Sequence, residues 1–201
     1  PGLPVGLGHR EFTDLYQLTM AQAYWQAGQR NDATFSLLFR SYPPNRGYMV
    51  LAGVEDTLGY LADFGLREDD VQYLRSTNAF AADFLDRLAD LRFTGSVRAM
   101  AEGEIFFAGE PVIEVTAPII EAQIVETAIL NQVNHQTLLA TKSARVVDAA
   151  RGRTLVDFAA RRTHGREAAN HLARVSYMTG FAGASNVRAG RLYGIPTFGT
   201  M

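Results

Sequence analysis

The sequence predicts an α/β protein, on three observations. Helical and strand periodicities alternate along the 201 residues, the last quarter repeats a strand–helix unit, and 47% hydrophobic with 10% aromatic residues supply a sizeable core. A charged fraction of 20% is far too low for a disordered polyelectrolyte. At about 150 residues per domain the length allows one or two domains. With no cysteine, a disulfide framework, a thiolate metal site and a Cys nucleophile are excluded. Four scattered histidines argue against a His-only metal site. Because no apolar run reaches about 18 residues and the start PGLPVGLGHR lacks the order of a signal peptide, a cytoplasmic location and no membrane partner are expected.

Thr13–Gly28 opens on a Thr/Asp cap, spaces Leu15, Leu18, Ala21 and Trp25 helically and closes on glycine, which predicts a helix. The β-rich run 33–40 predicts a strand ending in a turn at Pro43, Pro44, Asn45 and Gly47. Helices are expected over Leu51–Phe64 and Glu68–Ala89, the second starting in acids that suit a helix N-terminus. The period then changes to two. Gly95–Met100, Glu104–Phe107 and Pro111–Ala117 read as a short antiparallel meander. The helical period then returns, and the run from Ile119 to about Ala150 reads as one long helix, continuous or broken. Strand Thr154–Phe158, helix Glu167–Tyr177, a glycine-rich turn, helix Asn186–Tyr193 and strand Ile195–Phe198 complete the chain. This alternation implies parallel β/α units, which gather ligands at the carboxyl ends of their strands. A closed eight-stranded barrel takes on the order of 250 residues. The two units here form either a small open sheet or the front of a longer protein.

The net charge of −2 conceals an asymmetry. Residues 140–201 carry ten cations against three acids, a net of +7, and the first 139 carry nine against eighteen, a net of −9. Nine of the ten cations are arginines, whose planar forks match carboxylates and phosphates two bonds at a time. Small anionic ligands are therefore expected. A nucleic-acid partner is not, since a pI near 6.1 is a weak footprint for a polyanion.

Asp157-Phe158-Ala159-Ala160-Arg161-Arg162-Thr163-His164-Gly165 sets two guanidinium groups, an aromatic ring and an imidazole just beyond a strand, a setting for a flat anionic ring. The alternative is that Phe158 is core and the arginines pair with Asp157 or Glu167. Gly180–Val187 offers small residues and polar groups at a helix start, suited to phosphate, though Ser185 or Asn186 equally suits a plain N-cap. Gly199-Thr200-Met201 repeats that logic. Asp14, Tyr16 and Arg40 stand at element ends, where a cap, a half-buried aromatic and a surface charge explain them equally. Lys142, the sole lysine, fits a solvated helix face. His9, His135 and His171 have no partner at a recognisable ligand spacing and are read as structural.

Taken together, Thr13-Asp14-Leu15-Tyr16-Gln17-Leu18-Thr19-Met20, the Phe39-Arg40 pair, Asp157-Phe158-x-x-Arg161-Arg162 with His164-Gly165, Ser185-Asn186-Val187-x-Ala189-Gly190 and Gly199-Thr200-Met201 strongly resemble the nicotinate phosphoribosyltransferases in order and spacing, from residue 12 to 201. The resemblance implies an N-terminal α/β domain over 1–139, acidic and dimerising. The first part of an irregular β/α barrel would follow over 140–201, basic and site-bearing, with the barrel incomplete in this chain. The implied reaction joins nicotinate to phosphoribosyl pyrophosphate, giving nicotinate mononucleotide and pyrophosphate with Mg²⁺ present and ATP as co-substrate, in NAD salvage.

By the same resemblance Phe158 forms one face of the nicotinate sandwich, Arg161 meets its carboxylate, and Tyr16 forms the other face from the neighbouring subunit of a head-to-tail homodimer. Thr163 and His164 neighbour that ring. Arg40 contacts phosphate across the same interface, and Ser185, Asn186, Gly199 and Thr200 face the ribose phosphate with Lys142 nearby. Two departures stand out. Position 159, often glycine in the family, is alanine here. The family's GTM motif continues into Ala-His-Ser, whose histidine is phosphorylated by ATP, so no catalytic residue is assigned within this chain, which is expected to be part of a longer enzyme and inactive alone. The metal ligands stay unassigned. The alternatives are a nicotinamide or quinolinate phosphoribosyltransferase of the same fold, or a non-catalytic ligand-binding fragment.

Overall fold

The computed structural model describes residues 12–42 and 44–200. His9, Pro43 and Met201, named in the sequence reading, lie outside them. In chain order the elements are α1 (Leu15–Gln26), β1 (Asp32–Leu38), β2 (Met49–Val50), α2 (Val54–Ala62), α3 (Glu68–Ser76), α4 (Ala82–Ala89), β3 (Ser96–Ala99), β4 (Ile105–Phe106), β5 (Pro111–Pro118), α5 (Ile119–Ala150), β6 (Val156–Asp157), a 3-10 turn (Ala160–Arg162), α6 (Arg166–Met178), β7 (Gly183–Ala184) and α7 (Val187–Tyr193). The mixed α/β class is as the sequence predicts. The chain forms two compact units that interleave in sequence: one takes residues up to Leu37, Glu55–Arg98 and Ile113–Asn131, the other Leu38–Val54, Ala99–Val112 and the residues from Gln132 onward. The charge boundary after Leu139 falls inside α5.

In the first unit, α1 buries Leu18 and Ala21, and its entry is held from outside the helix. The Asp14 side chain does not cap; it accepts from Thr127 Oγ1 at 2.9 Å, while the Thr13 hydroxyl donates to the Ile124 carbonyl at 2.9 Å. The body of a three-stranded sheet, in the order β1-β5-β3, lies in this unit. Strand β5 alternates buried Val115 and Ala117 with half-buried Glu114 and Thr116, the period-two pattern of a strand with one covered face. Three expectations fail. The helix expected over Glu68–Ala89 is two, α3 and α4, because Asn78 takes a left-handed φ of 54°, a turn that an α-helix cannot contain. The helix expected from Leu51 begins at Val54. The meander does not form, since β4 leaves β3 and β5 to pair antiparallel with β2, Met49 opposite Phe106 and Val50 opposite Ile105.

In the second unit the run Val50–Val54 shows how a short strand is satisfied among helices. Each backbone N–H has a partner: Val50 donates to Thr141 Oγ1 (2.9 Å), Leu51 to the Glu104 carbonyl (2.9 Å), Ala52 to Thr137 Oγ1 (3.2 Å), and Gly53 and Val54 to Glu102 Oε1 (2.6 and 2.8 Å). Thr137 and Thr141, one helical turn apart on α5, replace a second strand at this edge. Val50, Ala52, Ala140 and Val175 form a buried cluster against which Tyr48, Leu139, Ala144 and Met178 pack. Glu102 also pairs with Arg174 of α6, both side chains being about 15% exposed. Helix α5 runs unbroken for 32 residues, as its period suggested.

The glycine-rich turn of the sequence reading contains a strand. β7 pairs parallel with β6, and Thr197 bridges parallel to Ala184, so the strand expected over Ile195–Phe198 reduces to a single bridge. Two glycines allow this close stacking. A Cβ on Gly183 would lie 2.2 Å from the Pro196 carbonyl oxygen and 2.7 Å from the Phe198 ring, and one on Gly190 would lie 2.5 Å from Thr197 Cγ2. Behind them Ala173, Ala184 and Ala189 form a second buried cluster with Tyr193 packed on it.

Candidate active site

The register of the parallel strands collects the sequence motifs. Asp157 stands opposite Ala184, and Ala184 opposite Thr197. The ladder is completed by Ala182 N–H to the Leu155 carbonyl (2.8 Å), Ser185 N–H to the Asp157 carbonyl (2.8 Å) and Phe198 N–H to the Ala184 carbonyl (3.0 Å). Since the strands are parallel, the residues that follow them leave from one edge: Phe158, then Ser185 and Asn186, then Gly199 and Thr200. Motifs 40 residues apart in sequence thus meet at the carboxyl ends, where parallel β/α units bind ligands.

The turn after β6 is built by its own side chains. Buried Asp157 accepts from the Ala159 N–H through Oδ1 at 2.8 Å, and Thr163 Oγ1 closes the turn on the Ala159 carbonyl at 2.9 Å. Ala159 adopts an ordinary right-handed conformation (φ −87°, ψ −3°), so alanine sits there without strain. Phe158 is 44% exposed, which overturns the core reading of this ring. Arg161, Arg162 and His164 are exposed on the 3-10 turn and beyond it, and among the described residues no ion pair joins either arginine to Asp157 or Glu167. The Asp157 carboxylate, which the alternative reading paired with them, instead accepts from the Ala159 N–H. An exposed ring, with unpaired guanidinium groups three and four residues further along the same turn, suits a flat anion.

Ser185 and Asn186 divide the roles that sequence left open. Asn186 is the N-cap of α7, accepting from the Ala189 N–H at 3.2 Å, and its Nδ2 donates to Asn170 Oδ1 at 3.1 Å. Among the described residues the Ser185 hydroxyl has no hydrogen-bond partner. The other candidates stand elsewhere. Lys142 is exposed on α5. Arg40 is exposed after β1, its neighbour Phe39 packing on Phe106 with centroids 5.2 Å apart. Tyr16, on α1 of the first unit, is 61% exposed and so not the half-buried aromatic of the alternative reading.

Sequence reading missed Asn170, the Glu102–Arg174 pair, and a histidine contact. His135 on α5 and His171 on α6 meet edge to face, centroids 5.9 Å apart, and His135 Nε2 is buried without a hydrogen bond. A lone polar residue on the alanine face of α6 was the one signal for Asn170; the other two need tertiary proximity. Burial, and secondarily the charge on His171, holds the His135 pKa below its usual 6.5. A histidine with a lowered folded pKa binds its proton more readily in the unfolded chain, so stability is complete above about pH 6.5 and declines as pH falls below it. His135→Phe is expected to reduce the loss of thermal stability between pH 7.5 and 5.5, measured by melting curves at the two pH values.

The sequence profile of the nicotinate phosphoribosyltransferase (NAPRTase) N-terminal domain matches residues 12–134. The chain belongs to the nicotinate phosphoribosyltransferase family. It is 54% identical over 190 residues to nicotinate phosphoribosyltransferase pncB2 of Mycobacterium tuberculosis, covering 94% of this chain and 41% of that protein. Against the Bacillus subtilis nicotinate phosphoribosyltransferase it is 44% identical over 189 residues, 94% of this chain and 39% of that one. The crystal structure of human nicotinic acid phosphoribosyltransferase superposes with a TM-score of 0.86 at 38% identity, covering 94% of this chain and 39% of that one. The chain thus spans about two fifths of the length of these nicotinate phosphoribosyltransferases. Among the described residues no helix is long and apolar enough to cross a membrane.

Proposed function

We propose that this chain carries the nicotinate and phosphoribosyl sites of an enzyme that joins nicotinate to phosphoribosyl pyrophosphate, releasing nicotinate mononucleotide and pyrophosphate in NAD salvage. The observation that carries the reading is the exposed Phe158 ring, followed three residues later by exposed Arg161, at the same strand edge as Ser185, Asn186, Gly199 and Thr200. Phe158 stacks on the pyridine ring and Arg161 takes its carboxylate through two parallel hydrogen bonds, with Thr163 and His164 beside the ring. Ser185, Asn186, Gly199 and Thr200 hold the ribose phosphate, with Lys142 as a further cation. Displacement at the ribose carbon passes through a cationic, oxocarbenium-like state, so the work of these residues is to align the ring nitrogen with that carbon and to hold the phosphates still.

The proposal includes a head-to-tail homodimer in the cytoplasm, in which Tyr16 and Arg40 complete the neighbouring site, and a division into an N-terminal domain (1–139) and the opening of a β/α barrel (140–201) that further chain would complete. ATP enters as co-substrate and Mg²⁺ as companion of the diphosphate. Among the described residues no three metal-ligating side chains come together, in keeping with an Mg²⁺ ion carried in on the diphosphate and its waters and not held in an all-protein cage. Competition among nicotinate, nicotinamide and quinolinate for the chain tests the assignment. Preference for nicotinate is expected; preference for nicotinamide or quinolinate would move the protein to another phosphoribosyltransferase of the same fold.

A further inference from the structure

Asn170 is 2% exposed in the middle of α6, with Ala169 and Ala173, both buried, on the same helix. Its Oδ1 accepts from Asn186 Nδ2 at 3.1 Å, while Asn186 Oδ1 accepts from the Ala189 N–H at 3.2 Å. These bonds leave no freedom in the assignment of either amide. The cap requires that Asn186 turn its oxygen to Ala189; its amino group then faces Asn170, which must answer with its own oxygen. Asn170 Nδ2 is thereby left buried and without a hydrogen bond. Leaving that buried donor unpaired costs stability, and what the Asn170 amide supplies against the cost is the orientation of Asn186.

We infer that Asn170 is a positioning residue: it fixes the Asn186 side chain in its capping rotamer and so holds Ser185 and Asn186 at the strand edge where, on the function proposed above, the phosphoribosyl group binds. The link is short. Ser185 is tied to β6 through its N–H and the Asp157 carbonyl (2.8 Å), and Asn186, the next residue, is tied to α6 through Asn170. The loop is therefore fixed at two points, of which Asn170 supplies the only side-chain anchor outside α7 among the described residues.

The test replaces Asn170 in the full chain with leucine, which keeps the volume and removes both amide atoms, and with aspartate, which keeps the acceptor for Asn186 Nδ2. Hydrogen exchange at the Ala189 amide reads the cap without any ligand. It is expected to be about tenfold faster in N170L and within about twofold of the parent in N170D, since only the leucine removes the partner that orients the cap. Calorimetric titration with phosphoribosyl pyrophosphate is expected to show about tenfold weaker binding in N170L, with nicotinate affinity held within about twofold. An unchanged Ala189 amide in N170L overturns the inference, as does equal weakening toward both ligands, the mark of a general structural loss. If N170L does not fold, N170D decides: parent-like exchange supports the inference and faster exchange overturns it. A parent chain whose Ala189 amide depends on Asn170 but which binds no phosphoribosyl pyrophosphate counts against the proposed function and leaves the orienting role of Asn170 intact.

Discussion

Replacing Arg161 with alanine is expected to weaken nicotinate binding by about 10- to 100-fold, because a hydrogen-bonded guanidinium–carboxylate contact is worth about 1.5–3 kcal/mol. Arg161→Lys is expected to recover little of this, since a point charge cannot reproduce two parallel bonds. Phe158→Ala adds the loss of ring stacking, about 0.5–1.5 kcal/mol beyond the lost contact area. Both side chains are exposed, and neither pairs with an acidic residue in the described structure. Their removal should therefore leave the melting temperature nearly unchanged, which separates a binding role from a structural one. Equilibrium titration with nicotinate and a melting curve on each variant check both halves. Retention of full affinity by R161A would remove the arginine from the site.

The largest stability effect is expected at Glu102. Its carboxylate accepts from the Gly53 and Val54 N–H groups at 2.6 and 2.8 Å and pairs with Arg174 of α6, so one side chain joins the strand run, the turn after β3 and α6. Breaking a buried ion pair by removing one partner costs about 3–5 kcal/mol. For a chain of this size each kcal/mol lowers the melting temperature by roughly 2–4 °C, so Glu102→Ala should melt about 10 °C below the parent. Glu102→Gln, which keeps an acceptor but loses the charge, should fall between them. Because α6 also carries Asn170, the loosening should reach the strand edge, with faster exchange at the Ala189 amide than in the parent. A shift of under 2 °C in E102A would show that Glu102 is not a main tie of this unit.

Much of the candidate site was legible because its signals are local. Asp157–Gly165 states its chemistry within nine residues, and the strand before it and helix after it are set by ordinary periodicity. That Phe158 and Gly199 leave one edge also followed from the rule that β/α repeats are parallel, whereas Ser185 was legible only as the start of a helix and not as the end of a strand. What was not legible is short or long-range. β2, β4 and β7 are two residues each, too short to show a period, and β2 pairs with β4 while Val50 and Ala52 donate to threonines of α5 more than 80 residues away. The break at Asn78 is one residue in a left-handed conformation inside an otherwise helical pattern. The alternative that paired the arginines with Asp157 fails because a backbone N–H two residues on takes that carboxylate's oxygen first, as short acidic side chains commonly do in turns. Asn170 reads as a flaw in an alanine face until the structure sets Asn186 beside it.

The central claim is that three strand ends form one ligand site. Hydrogen–deuterium exchange on the chain, with and without nicotinate plus phosphoribosyl pyrophosphate, tests it directly. Ligand-dependent protection is expected together in the segments 158–163, 185–189 and 198–200, and protection at 158–163 should be lost in R161A. Protection confined to other parts of the chain, or an R161A variant protected like the parent, would contradict the account.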